Sequence, residues 1–469
     1  MGVTVAAEEP LDLLAGYATE PGRYDEAVTE AGLPRRSSVG ALTAVGRRAV
    51  DELAAVVNGD VARDGVCFHS VDGDQAFVID PVPRVIGADE WATLEAGLAQ
   101  RVRALNAFVA DVYGPRRIVE AGVVPARVVD SAEYHEPMMQ GLRPPGDIWI
   151  GVAGLDLVRD HTGRFLVLED NVRTPSGFAY ACAARRALVS HLELGPADAP
   201  RPLDGLTGML AATLRAVAPD EGDPRAVVLT DGEHNAAYWE HEWTAAALGV
   251  PLVEPDQLEL RDLRLWLDGE PVDVVYRRTN ADRLDTPAGE LLLEPIRAGR
   301  LGVVNSFGTG VADDKLTHAY GEDMIRFYLG EEPRLASVET FDLGRPEILE
   351  RALDVFDELV IKPRGGYGGI GIVIAPHAER SDIEAVRAAV RAHPTEFVAQ
   401  RMVMLSSHPT VLDGRLAPRH VDLRPYVFLS SDNDVHVLPG GLTRVAFDEG
   451  ALVVNSSQNG GAKDTWVLP

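Results

Sequence analysis

The sequence predicts a mixed α/β (α+β) protein divided into two or three domains. A chain of 469 residues is too long to fold around a single hydrophobic core. Strand-like and helix-like runs alternate between residues 225 and 310, which predicts an open and largely parallel sheet. Elsewhere, short strand-like runs flank tight turns and indicate antiparallel hairpins. Both kinds of sheet are therefore expected beside several helices.

The net charge of −28 limits the partners that the surface can attract. Nucleic acids and anionic membranes both bind basic surfaces, so we expect neither as a partner. Hydrophobic residues make up 46% of the chain and charged residues 25%, as in an ordinary globular protein. A polyanionic ligand would therefore need a local cluster of lysine and arginine.

Cysteine usage and the first residues predict a cytoplasmic location. Cys67 and Cys182 lie far apart and show no metal-like spacing, so we expect no disulfide. The first twenty or so residues carry acids where a secretion signal would carry lysine or arginine. No apolar run approaches the roughly 18 residues that would span a membrane.

Residues 1–145 form a mixed region with one clear helix. Two short strands are expected around the turn at Asp72 and Gly73. A stripe of apolar residues predicts a long helix over 89–113. In the loop after it, Arg143 could hold a carboxylate, whereas His135 is better explained as a structural residue, as most single histidines are.

Residues 146–224 begin with a hairpin that ends on polar side chains. If His161 and Thr162 form a two-residue turn, Asp156 lies across from Val167. Three oxygen-bearing side chains, those of Asp156, Glu169 and Asn171, then share one face. Such oxygens suit Mg²⁺. The alternative is a plain polar rim where the strands meet solvent. Helices are expected next over 179–195 and 201–218.

The alternating region continues with a helix over 234–249 and a strand ending at Arg277 and Arg278. Either arginine could meet a substrate there, and solvation of a strand end is the equal alternative. A helix is then expected over 314–330.

A lysine at the end of a strand precedes a run of glycines. The strand ends at Lys362, and the glycines that follow are Gly365, Gly366, Gly368 and Gly369. Glycines let backbone N–H groups approach phosphates, and a lysine adds positive charge. A lid over a nucleotide is the sharper interpretation, and a glycine-rich hairpin is the alternative.

The last region offers further polar residues on strands. Gln400 and Arg401 interrupt an apolar strand that could present its edge to a purine ring, or could be an ordinary strand. Arg424 and Arg444 lie on separate strands and suit triphosphate oxygens, although exposed strand arginines are common. Asn455 precedes a polar turn.

Taken together, these segments resemble the circularly permuted ATP-grasp family. "GLDLVRDHTGRFLVLEDNVRTPSG" resembles the metal hairpin that closes ordinary ATP-grasp ligases, but here it comes early in the chain. "NSFGTGVADDKL", "VIKPRGGYGGIG", "VAQRM" and "VNSSQNGG" resemble the two lysine segments, the adenine hinge and the Asn-Gly-Gly segment. The resemblance implies a permuted segment over 146–224, a pre-ATP-grasp α/β domain over 225–310 and nucleotide-binding subdomains over 311–469.

The resemblance also implies roles for individual residues. Asp156, Glu169 and Asn171 would bind Mg²⁺, and Arg173 with Ser176 would lie near an acyl-phosphate. The nucleotide would be held by Lys315, Lys362, the glycines, Gln400 and Arg401, with Arg424, Arg444 and Asn455 near the phosphates. Arg143 and Arg277 would contact substrate.

The implied activity is an ATP-dependent carboxylate–amine ligase using ATP and two Mg²⁺ ions. ATP would activate a carboxylate as an acyl-phosphate, and an amine would then form an amide or peptide bond. A small-molecule kinase and a non-catalytic nucleotide-binding or partner-binding protein are the alternatives. The sequence does not identify the two substrates. It also leaves open whether the protein forms a homo-oligomer and whether Gln400 selects ATP over other nucleotides.

Overall fold

The computed structural model describes residues 11–69, 73–280, 283–365, 371–431, 434–451 and 460–469. The N-terminal region contains helices and three strands before residue 145. Its elements are α1 (Val39–Val45), α2 (Val50–Arg63), β1 (Cys67–Phe68), β2 (Gln75–Ala76), β3 (Ile79–Ile86), α3 (Ala88–Val112), α4 (Arg117–Glu120) and α5 (Ala126–Asp130). The helix predicted over 89–113 is therefore α3. Its buried stripe includes Trp91, Leu98 and Leu105, which explains why this segment forms a helix.

The next region supplies the predicted hairpin and two helices. They are β4 (Val152–Arg159), β5 (Phe165–Asn171), α6 (Phe178–Val189) and α7 (Leu206–Ala216). Every residue of β4 is buried, because alternate residues pack into hydrophobic clusters on the two faces of the sheet, Leu155 and Leu157 into one and Val152 into another. Both helices are shorter than the sequence predicted, because α6 ends at Val189 rather than at 195, and α7 begins five residues later and ends two residues earlier than expected.

A parallel sheet forms where strand-like and helix-like runs alternate. The elements are β6 (Ala226–Thr230), α8 (Tyr238–Leu248), β7 (Leu252–Val253), β8 (Glu259–Arg261), β9 (Arg264–Leu267), β10 (Glu270–Val272), β11 (Val274–Arg278), α9 (Pro287–Arg297) and β12 (Gly302–Val304). Strands β12, β11, β6 and β7 are parallel neighbours in that order. This confirms the predicted parallel sheet. Strands β8 to β10 make a separate antiparallel sheet.

A small antiparallel sheet follows, with helices beside it. The elements are α10 (Gly310–Asp313), α11 (Gly321–Met324), β13 (Ala336–Ser337), β14 (Thr340–Phe341), α12 (Pro346–Asp354), β15 (Leu359–Pro363), β16 (Val373–Ile374), α13 (Arg380–Ala392) and β17 (Phe397–Arg401). The sheet order is β14-β17-β15-β16. The single helix predicted over 314–330 is instead a series of short turns, with a 3₁₀ segment over Thr317–Tyr320 and a π segment over Ile325–Leu329.

The remaining strands complete the central sheet. They are β18 (Ser407–Leu412), β19 (Arg415–Arg424), β20 (Tyr426–Ser431), β21 (Asp434–Val437), β22 (Leu442–Ala446) and β23 (Gly460–Val467). The main path of the sheet runs β13-β5-β4-β19-β22-β23-β3, with β18 beside β19 and β20 beside β4. The hairpin β4–β5 thus lies next to strands that come more than 240 residues later in the chain.

The N-terminal region contributes the edge of this central sheet. Strand β3 pairs in parallel with β23, from Ile79 beside Ala462 to Ile86 beside Val467. The buried Lys463 side chain forms an ion pair with Asp80 and donates to the Pro409 carbonyl at 2.9 Å. The division of the chain into four regions stays a prediction. The central sheet contains β3 from the first region and β4 from the second, so it crosses the boundary between residues 145 and 146.

No helix among the described residues is long and apolar enough to cross a membrane.

Candidate active site

The turn between β4 and β5 is longer than the sequence predicted. The Asp160 carboxylate accepts hydrogen bonds from the backbone N–H of Thr162 at 2.9 Å and of Arg164 at 3.0 Å. Gly163 has a φ of 88°, which a glycine adopts without strain. Asp160 therefore pairs with Arg164 rather than with Gly163, and the turn contains three residues instead of the predicted two.

A bulge inside β5 changes the register again. Leu157, rather than Asp156, pairs with Val167. Leu168 has no partner in β4, so Asp156 pairs with Glu169, and Asn171 pairs with Gly154. Residues that pair directly project to the same face of a sheet. The predicted face shared by Asp156, Glu169 and Asn171 therefore forms, although the predicted pairing with Val167 does not.

Two arginines hold the Asp156 carboxylate. Arg424 donates through Nε at 2.6 Å and Nη2 at 2.8 Å, and Arg444 donates through Nη2 at 2.9 Å. Arg444 also donates through Nε to Asp422, its direct partner between β19 and β22, at 2.9 Å. Burial alone would raise the pKa of Asp156, but the two guanidinium groups outweigh burial and lower it. Asp156 is thus ionised and fixed in position.

Glu169 faces a lysine from the small sheet. Its Oε1 lies 3.3 Å from Lys362 Nζ, across 193 residues of sequence. Lys362 is almost fully buried, whereas the Glu169 side chain is 35% exposed. The contact joins the end of the hairpin β4–β5 to the end of β15, so the acidic hairpin and the second lysine segment lie together.

The oxygens on this face fit a hard cation. A carboxylate has four lone-pair sites, and Asp156 uses three of them on arginine, which leaves one on Oδ1. Glu169 has one described contact, and the buried Nδ2 of Asn171 has no hydrogen-bond partner among the described residues. Mg²⁺ takes few protein oxygens together with water and phosphate. Glu169 is therefore more available as a ligand than Asp156, whereas the Nδ2 of Asn171 is a donor and the amide oxygen of that residue would be the ligand.

The turn after β5 is fixed by the parallel-sheet region. Arg278 donates to the Pro175 carbonyl at 2.8 Å and to Ser176 Oγ at 2.5 Å. The buried Glu240 accepts from the N–H groups of Gly177 and Ala179, at the start of α6. Ser176 therefore lies where the end of β11 meets the hairpin.

Arg173 lies over the Tyr134 ring, with its guanidinium carbon 3.8 Å from the ring centroid. Its Nε is 3.2 Å from Asp313, which also accepts from the Val172 N–H at 2.8 Å. Lys315 follows two residues later and is half-buried. Asp313 thus attaches the first lysine segment, just before Lys315, to the end of the hairpin β4–β5.

The strand predicted as the adenine hinge presents its two polar residues differently. Gln400 is buried, donates to Thr340 Oγ1 at 3.0 Å, and its Oε1 has no hydrogen-bond partner among the described residues. Arg401 instead forms ion pairs with Glu339 at 3.2 Å and Glu358 at 2.6 Å. Gln400 thus has a free acceptor, and Arg401 is held by carboxylates at the surface.

The weaker substrate candidates lie in different settings. Arg143 is 81% exposed and pairs only with Asp147 in the described contacts, at 3.2 Å. Arg277 is buried beside Phe307, and burial together with nearby arginines lowers its pKa to about 9. His135 stacks on Tyr113, a packing role that agrees with the structural interpretation.

Several predicted positions lie outside the described residues. They are Gly366, Gly368, Gly369 and Asn455. Gly365 is described and exposed, and a Cβ there would lie 3.2 Å from Glu133 Oε2.

Sequence reasoning missed three carboxylates that organise this site. Asp422 lies two residues before Arg424, and the period of two along a strand could have placed both on one face. Asp313 lies two residues before Lys315, but nothing local indicates that it reaches Arg173. Glu240 lies inside a helix, and no local signal separates it from a solvated helix residue.

Glu169 of the central mixed sheet contacts Lys362 of the small antiparallel sheet, and the turn after β5 contacts Arg278 of the parallel sheet, so three sheets meet here, as in an ATP-grasp protein. The chain belongs to the circularly permuted ATP-grasp type 2 family, whose model matches residues 83–446. The early position of the hairpin β4–β5 in the chain is the permutation that the sequence predicted.

Proteins of several bacteria are similar over most of the chain. A Frankia casuarinae protein named "Putative glutamate--cysteine ligase 2-2" is 45% identical over 96% of this chain and 54% of its own length. An uncharacterized Synechocystis protein is 40% identical, over 96% of this chain and 98% of its own length. The chain thus spans about half of the Frankia relative and nearly all of the Synechocystis one.

Among solved structures, a glutathione synthetase-like effector from Globodera pallida, in its apo form, has a TM-score of 0.60. The match covers 89% of this chain and 96% of the effector at 11% identity. At that identity the similarity concerns the fold.

Proposed function

We propose that this protein is an ATP-dependent carboxylate–amine ligase that forms an amide bond through an acyl-phosphate. The observation that carries the proposal is the 3.3 Å contact between Glu169 and Lys362. It brings an oxygen-rich hairpin and a lysine that precedes glycines to one point, and a phosphoryl-transfer site needs both. Membership of the ATP-grasp family supports the same activity.

Glu169 and Asn171 would hold Mg²⁺, with the remaining Oδ1 lone pair of Asp156 as a third oxygen. Mg²⁺ neutralises charge on the ATP phosphates when it is bound. Lys362 would lie beside the phosphates, and Lys315 would approach from the segment attached to Arg173. The free Oε1 of Gln400 would accept a hydrogen bond from the adenine amino group.

The two strand arginines have a narrower role in this proposal than phosphate binding. Arg424 and Arg444 face Asp156 and Asp422, so two positive charges meet two negative ones. They therefore act by keeping Asp156 ionised and aimed at the metal position. Positive charge for the phosphates comes instead from the two lysines and from Mg²⁺.

The acceptor side would be the turn that carries Ser176. Arg173, Arg278 and the start of α6 meet there, at the carboxyl end of the parallel strand β11, where open α/β sheets bind ligands. The carboxylate activated by ATP would lie between this turn and Lys362. Proximity of the two substrates, rather than a protein nucleophile, would drive amide formation.

The test measures ADP release from purified protein with ATP and Mg²⁺, across a panel of amino acids, short peptides and polyamines. Glutamate with cysteine is the first pair, because the Frankia relative carries that name. We expect ADP only when a carboxylate and an amine are both present, with a new amide in the products. Equal ADP release without either compound would refute the ligase.

The same assay separates the alternatives. A phosphorylated compound that persists after the amine is added would indicate a small-molecule kinase. Nucleotide binding without ADP release across the panel would indicate a binding protein.

A further inference from the structure

Three potential metal ligands meet on the N-terminal hairpin β1–β2, outside the site described above. They are Cys67, His69 and Asp74, and one ligand atom from each lies within 4.8 Å of the other two. Cys67 Sγ is 3.7 Å from His69 Nε2, and His69 Nδ1 is 3.0 Å from Asp74 Oδ1. The histidine ring thus bridges a sulfur and a carboxylate. The spacing of the two cysteines gave no indication of this cluster.

Helix α6 and the start of α8 hold the backbone beneath the cluster. The Tyr180 hydroxyl, on α6, donates to the Cys67 carbonyl at 2.9 Å. The His69 N–H donates to the Ala236 carbonyl, just before α8, at 3.1 Å. The edge of the Tyr238 ring packs against the His69 ring, with centroids 5.4 Å apart. The positions of Cys67 and His69 are therefore held before any ion arrives.

The distances suit a tetrahedral ion. Zinc bonds are about 2.3 Å to sulfur and about 2.0 Å to nitrogen, so a tetrahedral angle sets these ligands roughly 3.5 Å apart. The Cys67 to His69 distance of 3.7 Å is close to that value. Two carboxylates, Asp74 and Glu242, add negative charge near the sulfur. Negative charge of this kind attracts a cation.

We propose that Cys67, His69 and Asp74 form a site for a borderline-soft divalent cation of the zinc class, distinct from the Mg²⁺ position at Glu169. Thiolate and imidazole select such metals, whereas Mg²⁺ requires oxygen. Because Nε2 faces the sulfur and Nδ1 faces Asp74, the ion binds Cys67 Sγ and His69 Nε2, and Asp74 holds the ring through Nδ1–H, as carboxylates do beside zinc-bound histidines. These two protein ligands leave the other positions of the tetrahedron for water or a substrate atom.

The test uses the full chain, purified under reducing conditions and freed of metal with a chelator. One equivalent of Zn²⁺ is expected to remain after dialysis, and Co²⁺ is expected to give a thiolate-to-cobalt charge-transfer absorption band. Cys67→Ser and His69→Ala are expected to lose the retained zinc. Asp74→Asn is expected to weaken Zn²⁺ binding by about 10- to 100-fold.

Cys182→Ser and His191→Ala are the matched controls. Cys182 is the other cysteine of the chain, and His191 pairs with Asp60 at 2.7 Å, outside the cluster. Both variants should keep one equivalent of zinc and the cobalt band. Circular dichroism checks the folding of every variant. The Co²⁺ spectrum of the wild-type protein tests the site without any variant. Absence of zinc retention and of the cobalt band in the wild type, or equal loss in Cys182→Ser, would overturn the proposal.

Discussion

Neighbouring acids on β5 should separate function from folding. Glu169 and Asp170 are adjacent in the strand, so their side chains project to opposite faces. Glu169 faces Lys362 and is 35% exposed, whereas Asp170 is buried behind it. We expect Glu169→Gln to remove activity from a folded protein and Asp170→Asn to destabilise the fold.

The expected magnitudes follow from the contacts of each residue. Asp170 accepts from Arg101 Nε at 2.6 Å and Nη2 at 2.7 Å, with both side chains 1% exposed. Removing one partner of such a pair leaves a buried charge, which costs about 3–5 kcal/mol. The Glu169 to Lys362 pair is single and partly solvated, so its loss costs about 1 kcal/mol or less.

The assay combines chemical denaturation with nucleotide-dependent stabilisation. At ATP·Mg²⁺ about 100-fold above its Kd, the wild type should gain about 2.7 kcal/mol in free energy of unfolding. If Glu169→Gln weakens binding about 100-fold, the gain at the same concentration falls to about 0.4 kcal/mol. ADP release should fall with it. The reasoning fails if Glu169→Gln keeps both responses, or if it destabilises the apo protein as much as Asp170→Asn does.

Three further outcomes follow from the structure. The chain has only three lysines. An ATP-derived acylating probe should label Lys362 and spare Lys463, because Lys463 is fully buried. Equal labelling of the two lysines in mass spectrometry would contradict the proposed nucleotide site. Burial opposes the ionisation of Glu26, but two arginines lower its pKa from 4.5 to about 2. Its contribution is therefore complete above pH 4.5 and lost as the pH falls to 2, and Glu26→Gln should remove about 3 kcal/mol of that pH dependence in denaturation experiments. Gly177→Ala should cost more than about 2 kcal/mol, because φ is 124° and the Cβ would lie 2.1 Å from a tyrosine hydroxyl. Gly222→Ala, at a φ of 131° with nothing within 4 Å, is its control and should cost only about 1 kcal/mol, and equal losses would refute the steric argument.

The sequence was sufficient where the determinants of structure are local. Residues close together in the sequence determine the apolar stripe of α3 and the alternation that produces β6, β11 and β12. Both were predicted. The broken helix over 317–329 was not, because the local pattern does not show that its first turn lies beside β14 while α11 and the π segment pack against α3.

The hairpin β4–β5 shows how a correct face can come from a wrong register. The turn at Asp160 shifts the pairing by one residue, and the bulge at Leu168 shifts it by another. Two shifts restore the parity, so Asp156 and Glu169 still share a face. Gly163 marks the turn but not its length, and the bulge contains no glycine and leaves little trace in the sequence.

The partners of the charged residues could not be predicted, since they come from distant segments. Arg101 to Asp170 spans 69 residues, and Arg424 to Asp156 spans 268. Each arginine could equally have been an exposed strand or helix residue. The three-dimensional arrangement alone distinguishes an arginine that would bind phosphate from one that already holds a carboxylate.

The order of strands in the central sheet has a consequence for the protein's synthesis. Asp156 leaves the ribosome 268 residues before Arg424 and 288 before Arg444. At about 5–20 residues per second, that delay is roughly 15 to 60 s. During this interval β4 lacks its β19 neighbour, and the nascent chain carries an apolar strand edge that invites misassembly. Permutation of the ATP-grasp order thus moves the metal-type hairpin from the last segment to be translated to one that must wait for most of the molecule.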